Sequence, residues 1–233
     1  MTGTAPTMTD TPIAPTPRTR DRDGTEARIL AGAMAIVARD GFGALGVNTV
    51  AREAGVDKQL IYRYFGGLDG LLERLGQDLR LWLGDPATAA IGGSGYGEVI
   101  GAQIVQHLAA LRASEMVQAA LSWELVERGD AVARLGEAKN QAIREWFGNV
   151  RAAAGEPPPG IDAPAVNAIL IAAVHHLVLR ARTAGEFAGL DLKAPETWAR
   201  IEQAIGFISG TIYAQDAGPG ARPAAAGDAR IAR

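Results

Sequence analysis

One stretch of 19 residues, VNTVAREAGVDKQLIYRYF at residues 47–65, restricts the fold more than any other part of the sequence. Two short apolar stripes recur there at helical spacing, at Val50, Ala51 and Ala54 and then at Ile61 and Phe65. Gly55 suits the left-handed position that ends a helix, and Asp57 suits the cap of the next one. The stretch therefore predicts two short helices, 47–54 and 58–64, joined by a tight turn as in a helix-turn-helix.

A longer helix is predicted on each side of this pair. An apolar stripe at helical spacing predicts the first helix over residues 25–40, with Thr25 as its N-cap and Gly41 just after its end. Leucines at core spacing, together with Trp82, predict the fourth helix over residues 68–83. Residues 25–67 are therefore expected to form a small three-helix domain.

The rest of the chain also has helical periodicity and almost no strand pattern. Its predicted helices span residues 99–112, 115–127, 130–153, 164–183 and 196–214. We therefore expect an all-α protein in which a larger C-terminal helical domain occupies residues 68–215. Residues 1–24 and 216–233 are predicted to be disordered tails, because they cannot bury enough apolar surface to offset the entropy of ordering.

The composition excludes several kinds of site. The 233 residues include no cysteine, which excludes disulfides, thiol catalysis and cysteine-bound zinc.

The N-terminus lacks the apolar run of a secretory signal, and the run AILIAAV at residues 168–174 is too short to span a membrane. We expect a cytoplasmic protein without a membrane segment.

No pattern in the sequence predicts catalysis. We find no serine–histidine–acid set, and the Gly-rich segment 84–97 lacks the Gly-Lys-Ser/Thr ending of a phosphate-binding loop. His175 and His176 are neighbours on a predicted helix, so their side chains point about 100° apart and do not suit one ion. We expect no enzymatic activity, no metal and no cofactor.

Residues 28–72 resemble the DNA-binding domain of the tetracycline-repressor (TetR) family. The matching features keep a fixed spacing: Ile29-Leu30-Ala31, Gly41-Phe42, Val50-Ala51, Ala54-Gly55-Val56, Leu60-Ile61-Tyr62 leading to Phe65, and Leu71-Leu72. The resemblance implies a homodimeric transcriptional regulator, usually a repressor. Its C-terminal domain would hold a small-molecule effector and the dimer interface, and effector binding would move the fourth helix and change the spacing of the two DNA-reading domains.

The resemblance also implies that the helices at 164–183 and 196–214 pair with their copies across the dimer. The second helix has an alternating three-four spacing, which is typical of helices that pack side by side, at Trp198, Ile201, Ile205, Ile208 and Ile212. The alternative is that the apolar stripes of both helices are buried within one subunit.

Polar residues on the outward faces of the two short helices are candidate contacts with a double-stranded DNA operator. Lys and Arg pair with guanine or phosphate, Gln pairs with adenine, and a Tyr hydroxyl can donate to a phosphate. Residues 18–66 carry eight cationic and six acidic side chains, although the whole chain has a net charge of -3. The candidates are Asn48, Thr49, Arg52, Lys58, Gln59, Tyr62, Arg63 and Tyr64.

The sequence departs from the family pattern at two places. Gly66-Gly67-Leu68 stands where the family commonly has Pro-Ser-Lys, so a phosphate-binding lysine is missing, and Gly46 stands where the family has a Ser or Thr cap. Both changes predict fewer phosphate anchors. The basic segment PRTRDR at residues 17–22 is either an arm that supplements them along the DNA or simply a solvated tail.

Residues on the middle helices are candidates for a ligand pocket, which combines apolar walls with a few polar groups. The candidates are His107, Met116, Trp123, Glu124, Trp146 and His175. Ordinary core packing is the alternative, and it explains each of them taken alone. A second function also stays open: an all-α small-molecule-binding or enzymatic protein that retains a vestigial DNA-binding domain.

Overall fold

A computed structural model describes residues 17–84 and 95–214, and over these ranges the chain is almost entirely helical. The helices are α1 Pro17–Asp40, α2 Val47–Ala54, α3 Lys58–Phe65, α4 Leu68–Gln77, α5 Leu79–Leu83, α6 Tyr96–Ala113, α7 Glu115–Val126, α8 Asp130–Ala154, α9 Ala163–Arg182 and α10 Pro195–Tyr213. A 3₁₀ turn, Phe42–Ala44, follows α1. Most of the Gly-rich segment 84–97 and most of both predicted tails lie outside the described residues.

Helix α1 begins earlier than predicted. It starts at Pro17, so residues 17–24, which were expected in the N-terminal tail, are helical. Proline suits the first turn of a helix, because its missing N–H has no intrahelical partner there. Thr25 is therefore not an N-cap but a buried residue inside the helix, where Arg28 Nη2 donates to its hydroxyl at 3.4 Å.

The predicted fourth helix is wrong in one respect, because the chain breaks it at Asp78 and forms α4 and α5. Asp78 leaves helical geometry at φ −76° and ψ 81°, and its carboxylate accepts from the Leu81 N–H at 3.2 Å. Short acidic side chains compete with a continuing helix in this way. The Leu75 carbonyl accepts from the Asp78 N–H at 3.3 Å and also from Trp82 Nε1 at 2.7 Å, which ties α5 back to α4 across the break.

The N-terminal helices share one apolar core. All four helices contribute fully buried residues to it, including Ile29, Val37, Val50, Ile61 and Leu71. The predicted local signals are confirmed around this core. Gly55 ends α2 in the left-handed conformation at φ 63°, and Asp57 caps α3 by accepting from the Gln59 N–H at 2.8 Å.

Glycines allow two helix pairs in the C-terminal part to approach closely. A Cβ on Gly76 of α4 would lie 2.6 Å from Ala138 Cβ and 2.8 Å from the Leu135 carbonyl oxygen, both on α8. A Cβ on Gly97 of α6 would lie 2.7 Å from the Ser209 carbonyl oxygen on α10. These contacts fix α4 against α8 and α10 against α6, since no side chain fits between them.

The apolar stripe of α10 lies mostly inside the subunit. Trp198, Ile201 and Ile205 are buried, whereas Ile208 is 41% exposed. A different face of α9 and α10 is apolar and open, because Phe207 is 74% exposed and Ile169 is 68% exposed. The alternative that the stripe of α10 is buried within one subunit therefore holds for its first three members, which pack in the core beneath this face.

A small antiparallel hairpin between α9 and α10 has no counterpart in the sequence predictions. Its strands are β1 Glu186–Phe187 and β2 Leu190–Asp191. The turn between them places Ala188 at φ 51° and Gly189 at φ 78°. Two successive positive φ values match the right-handed twist of a two-residue hairpin, and alanine is an unusual residue there.

Candidate DNA-binding surface and ligand cavity

Helix α3 presents a row of polar side chains to solvent because its opposite face is buried in the core. Ile61 is fully buried, and the Asp57 cap sets where the helix begins. The outward side chains of Lys58, Gln59, Tyr62 and Arg63 are exposed, and that of Tyr62 is 57% exposed. Gln59 and Arg63 are four residues apart and so lie one above the other on the same side of α3.

Two of the predicted DNA-contacting residues have partners within the protein. Thr49 Oγ1 lies 2.8 Å from the Gly46 carbonyl and 3.1 Å from the Ala44 carbonyl, so its hydroxyl secures the start of α2, which Gly46 leaves without a side-chain cap. Tyr64 is half-buried, with the Arg22 guanidinium 5.6 Å from its ring centroid. Asn48 and Arg52 on α2 are exposed.

The departures from the family pattern have structural consequences. Gly66 and Gly67 both have positive φ, 75° and 129°, a backbone that other residues rarely adopt. The turn between α3 and α4 therefore suits the glycine pair. The basic segment at residues 17–22 is the beginning of α1 and not a free arm, and Arg22 ties this part of α1 to α3.

Two adjoining cavities lie along α9 and share His175 and Ala172 as walls. The first has a volume of about 790 Å³ and lies among α7, α8 and α9. The second, of about 550 Å³, lies between α8 and α9. The first is lined by Leu121, Ser122, Glu124, Leu125, Val126, Lys139, Ala172, His175, His176, Leu179, Arg180 and Thr183. The second is lined by Tyr96, Asn140, Ile143, Arg144, Phe147, Arg151, Pro164, Asn167, Ala168, Ile171, Ala172 and His175.

A buried polar cluster from five helices stands where the two cavities meet. His107 Nε2 of α6 lies 2.9 Å from His175 Nε2 of α9. Lys139 of α8 is 8% exposed and donates a hydrogen bond to Glu124 of α7. The Lys139 ammonium also lies 4.9 Å from the ring centroid of Trp82 on α5. Three of the predicted ligand-binding residues, His107, Glu124 and His175, therefore come together.

Both histidines of this cluster are neutral near pH 7. Burial, followed by the charge of Lys139, lowers the pKa of His107 to about 4. Burial, followed by His107 and Lys139, lowers the pKa of His175 to about 3. In the neutral pair one imidazole nitrogen donates and the other accepts, so protonation of both rings would break the hydrogen bond.

The other predicted ligand-binding residues lie away from these cavities. Met116 is 38% exposed and lines a separate cleft against α1 and α4. Trp123 packs near Gly41, at the contact between α7 and the N-terminal domain. Trp146 packs edge-on against Phe147 at 4.8 Å between ring centroids, and Phe147 is the member of this pair that lines a cavity.

Lys139 is the central residue that the sequence predictions missed. It lies on α8 in line with Leu135, Ala142 and Trp146, at steps of three and four residues. A lysine within an apolar stripe is a detectable signal, since a buried ammonium requires a partner. Within residues 17–84 and 95–214, no group of three or more acidic or histidine side chains is arranged to hold a metal ion.

Comparisons with known proteins agree with this architecture. The family described as "Bacterial regulatory proteins, tetR family" matches residues 29–75. A comparison with curated protein sequences finds no significant match.

Solved structures of low sequence identity share the fold. FadR from Bacillus subtilis, solved in complex with stearoyl-CoA, is 16% identical, with a TM-score of 0.57 over 78% of this chain and 96% of that chain. NalD from Pseudomonas aeruginosa, the secondary repressor of the MexAB-OprM efflux pump, is 18% identical, with a TM-score of 0.56 over 81% of this chain and 98% of that chain. The fatty acid degradation regulator FadR from Bacillus halodurans is 16% identical, with a TM-score of 0.56 over 78% and 94% of the two chains.

The N-terminal match and the shared architecture lead to one conclusion. Residues 29–75 match the family of tetR bacterial regulatory proteins and so form a DNA-binding domain of that type, and the described chain has the fold of solved transcriptional regulators such as FadR and NalD.

Proposed function

We propose that this transcriptional regulator is a cytoplasmic homodimer that represses by binding a palindromic operator, and that a small molecule in the cavities along α9 releases it. The observation that carries the proposal is the exposed polar row on α3, held outward by a fully buried Ile61 and a capped first turn. A recognition helix needs this arrangement to enter the major groove.

Different residues of the row suit different parts of DNA. Gln59 and Arg63, four residues apart, are assigned to base edges, because Gln pairs with adenine and Arg with guanine. Lys58 and the Tyr62 hydroxyl are assigned to phosphates or flanking bases, and Asn48 and Arg52 at α2 to phosphates. Thr49 and Tyr64 support the domain from within, since their side chains already have protein partners.

The shape of the cavity wall supports an elongated, mainly apolar effector. The cavity-lining residues of α9 recur along one side of the helix from Pro164 to Arg180, nearly the whole length of this 20-residue helix. The B. subtilis FadR structure, which shares the fold, contains stearoyl-CoA, a long acyl chain with a polar end. Arg144 and Arg151 would meet the polar end of such a ligand in the second cavity.

A binding selection tests the DNA-binding part. The full chain would be incubated with a random duplex library, and the enriched duplex would be titrated by fluorescence anisotropy at two salt concentrations with scrambled duplex as competitor. We expect a palindrome with half-sites about 34 Å apart. We also expect affinity to fall steeply with salt, because phosphate contacts release counterions.

Variants of α3 test the assigned roles. Arg63→Ala and Gln59→Ala are expected to lose about 1–3 kcal/mol of discrimination each at the base they contact. Tyr62→Phe should weaken binding more evenly across sequences, because a phosphate contact carries no base information. Lys193→Ala, which removes an exposed cation from the C-terminal domain, is the matched control and should bind as the parent does.

Two outcomes would contradict the proposal. Parent-like binding by all three α3 variants would show that another element reads the DNA. Weak binding without any enriched sequence would instead favour a ligand-binding protein with a vestigial DNA-binding domain.

A further inference from the structure

Glu127, the residue that follows α7, binds the N-terminal domain directly. The Phe42 N–H donates to Glu127 Oε1 at 3.2 Å, and the Gly43 N–H donates to Glu127 Oε2 at 3.1 Å. These amides begin the 3₁₀ turn after α1, where the first N–H groups of a helical turn have no partner within it. A carboxylate that accepts two backbone N–H groups makes stronger hydrogen bonds than a neutral acceptor. We call this pair of hydrogen bonds the Glu127 clamp.

The local backbone leaves room for the Glu127 clamp. Gly41 has φ 83°, and a Cβ at this position would lie 2.0 Å from Glu127 Oε1 and 3.3 Å from Trp123 Cδ2. A side chain at residue 41 would therefore displace the carboxylate. The absence of a side chain at Gly41 lets the end of α7 reach the turn that leads into α2.

The same end of α7 lines the first cavity. Glu124, Leu125 and Val126 are wall residues, and the next residue in the chain is Glu127. Leu125 is 71% exposed and Val126 is 70% exposed, so a ligand that covers them gains apolar burial. A ligand in this cavity would therefore contact the residues that immediately precede the Glu127 clamp.

The connection between the domains through α4 is stiffer. Helix α4 packs on α8 at Gly76, where a Cβ would lie 2.8 Å from the Leu135 carbonyl oxygen and 2.9 Å from the Lys139 backbone nitrogen. Contacts at backbone distance do not slide without a clash. Two hydrogen bonds to a flexible glutamate adjust more readily than this contact.

We propose that Glu127 is the positioning residue that couples cavity occupancy to the orientation of α2 and α3, through the backbone amides of Phe42 and Gly43. The proposal concerns regulation and so rests on the DNA-binding and ligand-binding function proposed above. In the unoccupied protein the clamp holds the turn, and occupancy shifts the end of α7 and alters the clamp.

Amide hydrogen exchange tests the clamp without DNA or effector. Exchange at Phe42 and Gly43 would be measured by NMR in the full chain, in Glu127→Gln and in Glu115→Gln. The Gln variant keeps the size of the side chain and removes the charge, so we expect exchange at both amides to rise about tenfold. Glu115→Gln changes an exposed glutamate at the other end of α7 and should match the parent. Unchanged exchange in Glu127→Gln would overturn the clamp.

Filling the first cavity tests the coupling. Ala172→Trp on α9 would place an indole ring in the first cavity. If this variant does not fold, Thr183→Trp, at an exposed residue that also lines the cavity, would replace it. We expect either substitution to change exchange at Phe42 and Gly43 by about threefold or more in the parent and to have little effect in Glu127→Gln. Parent-like exchange in a folded filled variant would overturn the coupling, as would an equal change with and without Glu127. Because no step requires DNA, a failure of the proposed function would be distinguished from a failure of this proposal.

Discussion

At the scale of single residues, the hydrogen bond between His107 and His175 joins positions 68 residues apart in the sequence. His107 is 2% exposed, and Lys139 stands close enough to oppose a positive charge on either ring. Glu124 pairs with Lys139 and so offsets part of the positive charge of Lys139. The cluster therefore favours two neutral imidazoles over two charged ones.

Acidification is expected to destabilise the folded protein through this pair. The ordinary histidine pKa of 6.5 falls to about 4 for His107 and about 3 for His175 on folding. Between pH 6.5 and these values the unfolded chain binds more protons, so the free energy of unfolding falls as the pH falls through that window. Above about pH 7 both states are neutral and the pair contributes no slope.

Thermal unfolding followed by circular dichroism at pH 7.5 and pH 5 measures this effect. His175→Gln removes one titrating ring, so its melting temperature should depend less on pH than that of the parent. His176→Gln, which replaces the exposed neighbour on α9, is the control and should keep the slope of the parent. Equal slopes for His175→Gln and the parent would contradict the assignment.

At the scale of elements, the contact between α4 and α8 joins the DNA-binding domain to the C-terminal helices. Helix α4 packs against the N-terminal core through Leu71 and Leu72 and against α8 at Gly76. In the proposed regulation, a movement of α8 at the cavities would reach α3 through α4, and a movement of the end of α7 would reach the turn before α2 through Glu127. The two paths contact opposite ends of the α2–α3 pair.

Substitution of Gly76 tests how tightly α4 is fixed. Gly76→Ala places a Cβ 2.6 Å from Ala138 Cβ, so we expect a loss of about 1–3 kcal/mol in the free energy of unfolding. Gly148→Ala on α8 is the matched control, because no atom lies within 4 Å of its added Cβ. There alanine should stabilise the helix by up to about 1 kcal/mol. Chemical denaturation of both variants measures the difference, and equal stabilities would contradict the close contact.

At the scale of the whole molecule, the open apolar face of α9 and α10 is the surface that we propose for the dimer. Helix α9 is 20 residues long with a mean hydropathy of 1.4, and only 28% of its most apolar window is buried in one subunit. By length and composition such a helix resembles a membrane span, and core helices of soluble proteins have the same composition. Burial against a second copy accounts for both its apolar composition and its exposure.

Light scattering after size-exclusion chromatography tests this interface. The parent is expected to have about twice the mass of one chain, because two-fold pairing buries the face on both subunits. Phe207→Arg places a charge at its most exposed aromatic residue and should shift the protein to the mass of one chain. Met116→Lys, at an exposed apolar residue of α7, should remain a dimer. A dimeric Phe207→Arg would place the interface elsewhere.

The sequence by itself determined the N-terminal domain, because the signals there are local. Gly55 ends α2 and Asp57 caps α3 through contacts within a few residues, and the spacing of the buried side chains fixes which face of α3 is outward. The all-α class and most helix boundaries follow from the same local periodicity. The start of α1 does not follow from periodicity, because residues 17–24 have few apolar positions. They nevertheless belong to α1, whose buried residues lie further along the chain.

Only the tertiary structure decided the C-terminal site. His107, Glu124, Lys139 and His175 lie on four different helices and meet only after those helices pack. The break at Asp78 depends on a local carboxylate and on Trp82 reaching back to Leu75, and the inward stripe of α10 depends on Gly97 in α6. Short-range spacing predicts which residues share a helix face, whereas the choice of neighbour for that face depends on contacts between residues far apart in the chain.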